Sequence, residues 1–189
     1  ARFGEAQYLV LLLNANADVE AKATNHWTAL TLATERGDIE CLQILIDAKA
    51  DLEAKNKDGF TALSLAAEHE YIQCMQLLID AKADIRAETN TGSTALSLAA
   101  ERGYTECVQL LIGAKSDIET KTNEDFTALH VAVALGHIAC VRLLLDANAN
   151  TEVRSNSGWN PLESAAHDGY IEIVRMLVMA KADVKATNV

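Results

Sequence analysis

The four cysteines are the side chains best suited to chemistry in this sequence, because thiolates form disulfides and bind metal ions. They recur at a constant step of 33 residues, as Cys41, Cys74, Cys107 and Cys140. Equivalent positions in neighbouring packed units lie about 8–10 Å apart, whereas a disulfide needs Cα atoms within about 7 Å. No CxxC or HExxH motif gathers metal ligands. We therefore expect reduced thiols in a packed core, with Tyr8 and Ile173 at the equivalent core position at the two ends.

The histidines are the other candidates for catalysis, and they occupy unrelated positions of the sequence. They are His26, His69, His130, His137 and His167. No nucleophile with an adjacent base, no carboxylate pair in a cleft and no Gly-rich phosphate loop accompanies them. The sequence therefore predicts no enzyme, no cofactor and no metal site, and we expect His130 to make only local hydrogen bonds.

The 33-residue step extends well beyond the cysteines. It relates Thr28, Thr61, Thr94 and Thr127, then Leu30, Leu63, Leu96, Leu129 and Leu162, then Ala33, Ala66, Ala99, Ala132 and Ala165. Such a period indicates an array of small stacked units, none of which buries its apolar face alone.

In the repeat at residues 56–88, Thr61 is a good N-cap for a short Ala-rich helix. After a break at Glu70, a more apolar second helix is predicted from Tyr71 to about Asp80. The polar remainder of the period is predicted to protrude as a hairpin, so each unit is helix, turn, helix and hairpin.

This pattern resembles the ankyrin repeat. The matching stretches are TALTLATERG from Thr28, TALSLAAERG from Thr94, TALHVAVALGH from Thr127 and NPLESAAHDG from Asn160, with AKAD at 48–51, 81–84 and 180–183. The resemblance implies an all-α repeat solenoid of stacked helix-turn-helix units with protruding β-hairpin fingers. It places one array over residues 1–189, with a partial repeat at 1–22 and repeats at 23–55, 56–88, 89–121, 122–154 and 155–187.

The sequence departs from the family pattern after each second helix, where the pattern has glycine. The residues there are Asn16, Lys49, Lys82, Lys115, Asn148 and Lys181. If these residues adopt a left-handed backbone, each lysine costs about 1–2 kcal/mol relative to glycine. A cation at a helix C-terminus returns a few tenths to about 1 kcal/mol of that cost. We interpret the sequence as natural or lightly engineered rather than as an idealised consensus.

Both ends of the sequence fall inside a repeat, and the terminal helices keep the internal apolar pattern at Leu9, Leu12, Met176 and Leu177. Met179 stands where other repeats have aspartate or glycine. Terminal repeats normally present polar outer faces. Our hypothesis is that the sequence is a fragment of a longer array, or that one end packs on another segment or copy; we expect a monomer or such a fragment.

Composition limits the partners. The net charge of −11 opposes binding to a phosphate backbone, and no basic cluster offsets it. There is no run of 18 apolar residues and no secretory leader. We expect no nucleic acid partner, no membrane span, and a cytoplasmic or nuclear rather than secreted protein whose partner surface is basic or of mixed charge.

The resemblance implies that the hairpin tips and the first helices line a concave groove that binds a protein or peptide. The residue before each N-cap is aromatic in four repeats, at Trp27, Phe60, Phe126 and Trp159, and is Ser93 in the fifth. Exposed aromatic side chains are common in interface hot spots. The alternative is that these rings pack along the hairpins and only cover the helices beneath.

The last residues of the first helices form a second row of candidate binding residues. They are Glu35 with Arg36, Glu68 with His69, Glu101 with Arg102, Ala134 with Leu135, and His167 with Asp168. As solvated helix ends these residues need no function. The apolar pair breaks the charged pattern, so we predict that Phe126, Leu135 and Trp159, flanked by Arg102 and His167, form the centre of the binding site.

The predicted function is a protein–protein interaction module that binds its partner through the groove and the hairpin tips. One alternative is a structural spacer within a larger multidomain protein, for which exposed rings have no purpose. Another alternative is an engineered ankyrin binder, for which we would expect a less variable frame. The identity of the partner is not encoded in the fold.

Overall fold

Helices recur at 33-residue intervals through residues 3–180, the part of the chain that the computed structural model describes, with side chains from Glu5 onward. The chain forms two compact halves, Ala1–Asn90 and Thr91–Val189. The first half contains α1 (Phe3–Asn14), a 3₁₀ turn (Thr24–His26), α2 (Ala29–Glu35), α3 (Ile39–Asp47), α4 (Ala62–Glu68) and α5 (Ile72–Asp80). The second half contains α6 (Ala95–Arg102), α7 (Thr105–Gly113), α8 (Ala128–Ala134), α9 (Ile138–Asp146), α10 (Pro161–His167) and α11 (Ile171–Met179).

Small buried residues let the short first helices pack closely side by side. In the first half α2 packs on α4, and in the second half α6, α8 and α10 form one layer. Ala62, Ala66 and Ala67 of α4 are fully buried. The longer second helices form the other layer, in which α1, α3 and α5 are neighbours in the first half and α7, α9 and α11 in the second. Each half therefore has its core between the two helix layers.

The first helices begin at the predicted N-caps. The Thr28 hydroxyl accepts a hydrogen bond from the backbone N–H of Thr31 at 3.3 Å, and the Asn160 side chain accepts one from Glu163 at 2.8 Å. In both helices the third residue also accepts a hydrogen bond from the cap's backbone N–H, which completes a capping box. The hydroxyls of Thr61, Thr94 and Thr127 accept the same hydrogen bond at the starts of α4, α6 and α8, and α6 and α8 also have the complete capping box. A cap of this kind contributes about 1 kcal/mol.

All four cysteines are buried free thiols on second helices, as predicted. Burial raises the pKa of Cys41 to about 12, and the hydrogen bond and charge of Asp38 act in the same direction. Burial also raises the pKa values of Cys74 and Cys140. Because the reactive form of cysteine is the thiolate, these side chains serve as small core hydrophobes.

The expectation that Tyr8 occupies this core position is wrong. Ile173 is fully buried, but Tyr8 is 70% exposed although it lies one period before Cys41. Cys41 is covered because α2 packs on α3. Within the described residues, no first helix precedes α1 to cover Tyr8 in the same way.

The second helices end with a lysine or asparagine in the left-handed conformation, which confirms that the residues replacing glycine carry strain. The positive φ angles lie between 60° and 73°, at Asn16, Lys49, Lys82, Lys115 and Asn148. After α3 the N–H of Lys49 donates to Ile46 O and that of Ala50 to Leu45 O, each at 3.0 Å. This pair of bonds is a Schellman motif. Lys181 lies outside the described residues.

The first helices also end in a left-handed residue, and here the sequence contains one exception to glycine. Gly37, Gly103, Gly136 and Gly169 occupy this position in four repeats, and Glu70 occupies it in the repeat that contains α4, with φ of 60°. At Gly103 a Cβ atom would lie 2.7 Å from Nδ1 of His137, so glycine is also needed there for close packing. Glu70 combines backbone strain with a negative charge at a helix C-terminus, which the helix dipole disfavours.

The fingers are tight loops, and residues 3–180 contain no β-strand, so the predicted β-hairpins lack a regular ladder. Backbone hydrogen bonds of the turn type close the fingers, as from Asn56 N–H to Phe60 O at 3.0 Å and from Gly59 N–H to Asn56 O at 3.1 Å. Backbone bonds also join neighbouring fingers within each half: Lys57 N–H donates to Asn25 O at 2.8 Å, and Asn156 N–H to Glu124 O at 3.1 Å. These bonds span only a few residues and do not continue as a ladder of paired strands.

Glutamates at the base of the fingers connect neighbouring repeats. Glu20 accepts a hydrogen bond from the backbone N–H of Asp51 at 2.8 Å, and Glu53 accepts one from Asp84 at 2.7 Å. Glu119 accepts one from Asn150 in the second half at 2.8 Å. Burial raises the pKa of Glu53, and the hydrogen bond from the backbone N–H of Asp84 partly offsets that rise. These contacts fix the spacing between consecutive repeats within each half.

His130 makes the local hydrogen bonds predicted for it. Its Nδ1 accepts from the backbone N–H of Thr127 at 3.3 Å, and its Nε2 lies 2.8 Å from Val153 O. With Nε2–H donating to the carbonyl, Nδ1 must remain an unprotonated acceptor. Burial lowers the pKa of His130, which agrees with the neutral form.

We expect Glu70→Gly to stabilise the protein by about 1 kcal/mol, because it removes left-handed strain and an unfavourable dipole interaction, less the entropy of glycine in the unfolded chain. Lys82→Gly should give a smaller gain, because it also removes a favourable charge at a helix C-terminus. Urea midpoints measure both. Lys57→Gly, at an exposed lysine outside the left-handed set, is the matched control and should not stabilise. Equal gains at residues 70 and 82 would contradict this ranking.

We expect the protein to lose stability below about pH 6.5, the ordinary pKa of histidine, in part because of His130. Its pKa is lowered in the folded state. Below pH 6.5 the unfolded chain therefore binds a proton at this histidine that the folded chain does not bind, and the free energy of unfolding decreases as the pH falls. His130→Ser, which places the residue of Ser64 and Ser97 at this position, should remove that component. Urea unfolding at pH 8 and pH 5 tests this, and an unchanged difference between the two pH values in the variant would refute it.

Candidate functional site

The predicted binding residues lie where the fingers meet the first helices and at the C-terminal ends of those helices. In the second half, Trp159 precedes the N-cap of α10 and is half-buried. Its indole packs edge-to-face on the imidazole of His167, with ring centroids 4.7 Å apart and an interplanar angle of 85°. Such a contact is worth about 0.5–1.5 kcal/mol beyond the area that it buries. The ring of Trp159 is therefore held against α10, the helix that follows it.

His167 is in turn oriented by its neighbour. Its Nδ1 lies 2.8 Å from Oδ1 of Asp168, and its side chain is 67% exposed. A carboxylate at Nδ1 favours the tautomer with the proton on that nitrogen, which leaves Nε2 as a hydrogen-bond acceptor. Trp159, His167 and Asp168 thus form one ordered cluster with an apolar ring and a polar tip.

Phe126 makes a related contact one repeat earlier. It is half-buried, and its ring lies 5.9 Å from that of His130 at an angle of 61°. Because His130 is buried, Phe126 covers part of the helix beneath it. This aromatic side chain combines helix packing with partial exposure.

Leu135 is 49% exposed and forms the C-cap of α8. The equivalent positions hold Arg36, His69, Arg102 and Asp168, all of them polar and exposed. Glu101 and Arg102 are exposed at the end of α6, and the Glu101 carbonyl lies 2.9 Å from Nε2 of His137. A large apolar side chain therefore stands in an otherwise charged row.

In the first half, the charged row is paired between repeats. His69 Nε2 lies 3.1 Å from Glu35 Oε2, and Arg36 lies 3.5 Å from Glu5 of α1. All four side chains are more than a third exposed, so each pair contributes at most about 1 kcal/mol. Glu68 is half-buried at the end of α4. This part of the surface therefore carries acidic and basic side chains next to each other.

The two aromatic residues of the first half close their fingers. Trp27 O accepts a hydrogen bond from Ala23 N–H at 2.8 Å, and Phe60 O accepts one from Asn56 N–H at 3.0 Å. Both side chains are half-buried. Their position in the fingers follows from the N-cap that comes directly after each of them.

Sequence reasoning missed three exposed isoleucines at the first position of second helices. Ile39 is 39% exposed, Ile138 is 37% exposed and Ile171 is 68% exposed. Their spacing by multiples of 33 was available as a signal, but apolar residues in a second helix were all taken as core. They lie at the starts of the second helices, three residues after Arg36, Leu135 and Asp168.

The exposed side chains at these positions are of kinds that are common in binding surfaces. Among the described side chains, no cluster of histidine, cysteine, aspartate and glutamate could hold a metal ion. Across residues 3–180, every helix is too short or too polar to cross a bilayer. The two rows of candidate residues offer aromatic rings, the exposed Leu135 and paired charges.

Comparison with known proteins agrees with this architecture. The family model of ankyrin repeats in three copies matches residues 1–89 and 96–188. The fold is similar to the crystal structure of an ankyrin repeat domain from Acinetobacter baumannii AYE, with a TM-score of 0.90 and 32% sequence identity over 96% of this chain and 95% of that chain. Curated protein sequences give no match. The chain belongs to the ankyrin repeat family, and its fold class is an all-α repeat solenoid.

Proposed function

We propose that this protein binds a partner protein or peptide through the finger side of its repeats, with the centre of the site on the second half. Ankyrin repeats are generally protein–protein interaction modules rather than enzymes. The observation that carries the proposal is Leu135, which is 49% exposed at a position where the other repeats have charged residues or histidine. Neither helix capping nor packing requires an apolar side chain there.

Trp159 supports this placement because its ring is ordered before any partner arrives. The contact with His167 fixes the indole, so binding would lose little side-chain entropy. Large rigid rings are common hot-spot residues for this reason. Phe126, Leu135 and Trp159 supply the apolar part of the site, and Arg102 and His167 supply the polar flank.

Charge indicates the kind of partner. The chain carries a net charge of −11, which favours encounter with a basic or mixed-charge protein surface and disfavours nucleic acid. Asp168, exposed beside His167, is a carboxylate available to such a partner. The partner should therefore present an apolar anchor next to a basic side chain.

A structural spacer is the second candidate function. The glutamate contacts and the finger-to-finger hydrogen bonds fix the spacing of consecutive repeats within each half. Those features would serve a spacer as well as a binder. The two functions differ in whether the exposed leucine and the ring beside it matter.

We expect the double variant Leu135→Ala, Trp159→Ala to lose binding to its partner by at least about tenfold, since truncating hot-spot residues costs about 2 kcal/mol or more. The protein is immobilised, its partners are recovered from cytosolic lysate and identified, and each is titrated against the variant.

Val178→Ala, at an exposed apolar residue near the C-terminal end of α11 in the same half, is the matched control and should bind as the unchanged protein does. Circular dichroism confirms that all three proteins fold. Full retention of every partner by the double variant would refute this placement of the site and favour the spacer.

A further inference from the structure

A cavity with a volume of about 320 Å³ lies between the starts of two neighbouring second helices in the first half. Its walls include Ile39, the first residue of α3, and Ile72, the first residue of α5. The other residues that line it are Gly37, Glu70, Tyr71, Gln73 and Cys74. We refer to it below as the α3–α5 cavity.

The base of the cavity is formed by close packing at the turns before the two helices. A Cβ atom added to Gly37 would lie 3.1 Å from the ring of Tyr71, so this ring packs directly on the glycine backbone. Cys74 is 1% exposed and Ile72 is half-buried, whereas Ile39 is 39% exposed. The cavity therefore has an ordered base and an apolar wall that remains open to solvent.

Glu70 is the charged side chain of the cavity. It is exposed and has a φ of 60°, at a position where four other repeats have glycine. Its carboxylate makes no hydrogen bond or ion pair with the described residues. Stacking of the repeats does not explain an acid that carries backbone strain and has no partner, and residues in such strained conformations cluster at functional sites.

Other acidic residues make the surroundings of the cavity more negative. Asp38 and Glu40 lie on either side of Ile39 at the start of α3. Burial, and after it the charge of Asp38, raise the pKa of the Cys74 thiol, so the negative charge acts inside the cavity. An apolar wall beside unneutralised negative charge favours a ligand that has both an apolar part and a cationic group.

The basic side chains nearest in sequence are already paired. Arg36, which precedes Gly37, lies 3.5 Å from Glu5, and His69, which precedes Glu70, lies 3.1 Å from Glu35. The residues that line the cavity in the described structure include neither lysine nor arginine. The chain itself thus supplies no cation to the cavity from these positions.

We propose that the α3–α5 cavity binds a lysine side chain of a partner protein, with the aliphatic stem against Ile39 and Ile72 and the ammonium group at Glu70. Lysine buries an apolar stem while it keeps its charged end near water, which matches an apolar wall beside an exposed carboxylate. Arginine is favoured where its planar group stacks on an aromatic face. Here the Tyr71 ring packs on Gly37 and lies 5.6 Å from the ring of His69.

This site goes beyond the proposed function and does not rest on it. It shares no residue with the candidate site around Leu135, and its test needs no partner from lysate. Failure of one proposal therefore leaves the other unaffected.

Two tripeptides serve as probes, acetylated and amidated Ala-Lys-Ala and the same peptide with norleucine in place of lysine. Norleucine keeps the four-carbon stem and lacks the ammonium group. Added to the ¹⁵N-labelled protein, the lysine peptide should give saturable chemical-shift changes at the amides of Ile39, Glu70 and Ile72, and its affinity should fall as salt is added. The norleucine peptide should bind about two- to fivefold more weakly, the range for loss of an exposed ion pair.

Variants at Glu70 separate binding from folding. Glu70→Gln and Glu70→Gly should each weaken binding of the lysine peptide about two- to fivefold, although Glu70→Gly should raise the urea midpoint because it removes left-handed strain. Opposite effects on affinity and stability cannot arise from unfolding. Glu88→Gln, at an exposed acid of the same half that does not line the cavity, is the matched control and should bind normally.

Ile39→Ala should weaken binding about three- to fourfold, since it removes apolar wall equivalent to about one buried CH₂ group. Ile138→Ala is the matched control, because Ile138 is 37% exposed and is also the first residue of a second helix. Unsaturable shifts, equal affinity for the norleucine peptide, or unchanged affinity in both Glu70 variants would overturn the proposal. Tighter binding of an Ala-Arg-Ala peptide would overturn the choice of lysine.

Discussion

The structure depends on one constraint: no single repeat has enough apolar surface of its own to form a core. Each first helix is only 7 or 8 residues long and is too short to be stable alone. It is stable in the protein because the next first helix packs against it. Alanines on the contact face permit that approach, and leucines such as Leu63 and Leu96 fill the space between the two helix layers. The capped starts and left-handed ends follow from this arrangement, since every repeat must reverse direction twice within 33 residues.

Features that repeat in the sequence were predictable because the same environment recurs at each step. The N-caps, the second helices, the reduced thiols and the left-handed residues after the second helices all belong to this group. Tyr8 shows the limit of such reasoning: a position in the repeat predicts burial only if the covering helix is also there. The glutamate contacts escaped prediction for a different reason. They join a side chain to a backbone N–H 31 residues later, as from Glu20 to Asp51. Because almost every residue has a backbone N–H, the pattern of residue types does not indicate which one is bound.

The places of the candidate residues in the fold were predictable from the sequence, their contacts were less so, and their role in binding stays a prediction. Its rows of residues follow from the N-cap and from the helix end, which the pattern defines. The packing of Trp159 on His167 was not foreseen, because it requires an aromatic residue in the finger to lie along the whole length of a seven-residue helix. Phe126 shows that covering the helix and facing solvent are compatible, since its ring contacts buried His130 and remains half-exposed. The two interpretations of the aromatic row were therefore not exclusive.

Stacking constrains one part of the surface and leaves another part free to vary. The faces of the first helices that pack on one another have a shape imposed by the repeat, as the fully buried alanines of α4 show. Leu135, at the end of α8, is half-exposed, so it can replace a charged residue there without disturbing that packing. Under the proposed function, variation at such positions selects a particular partner, because the packing of one repeat on the next does not depend on it.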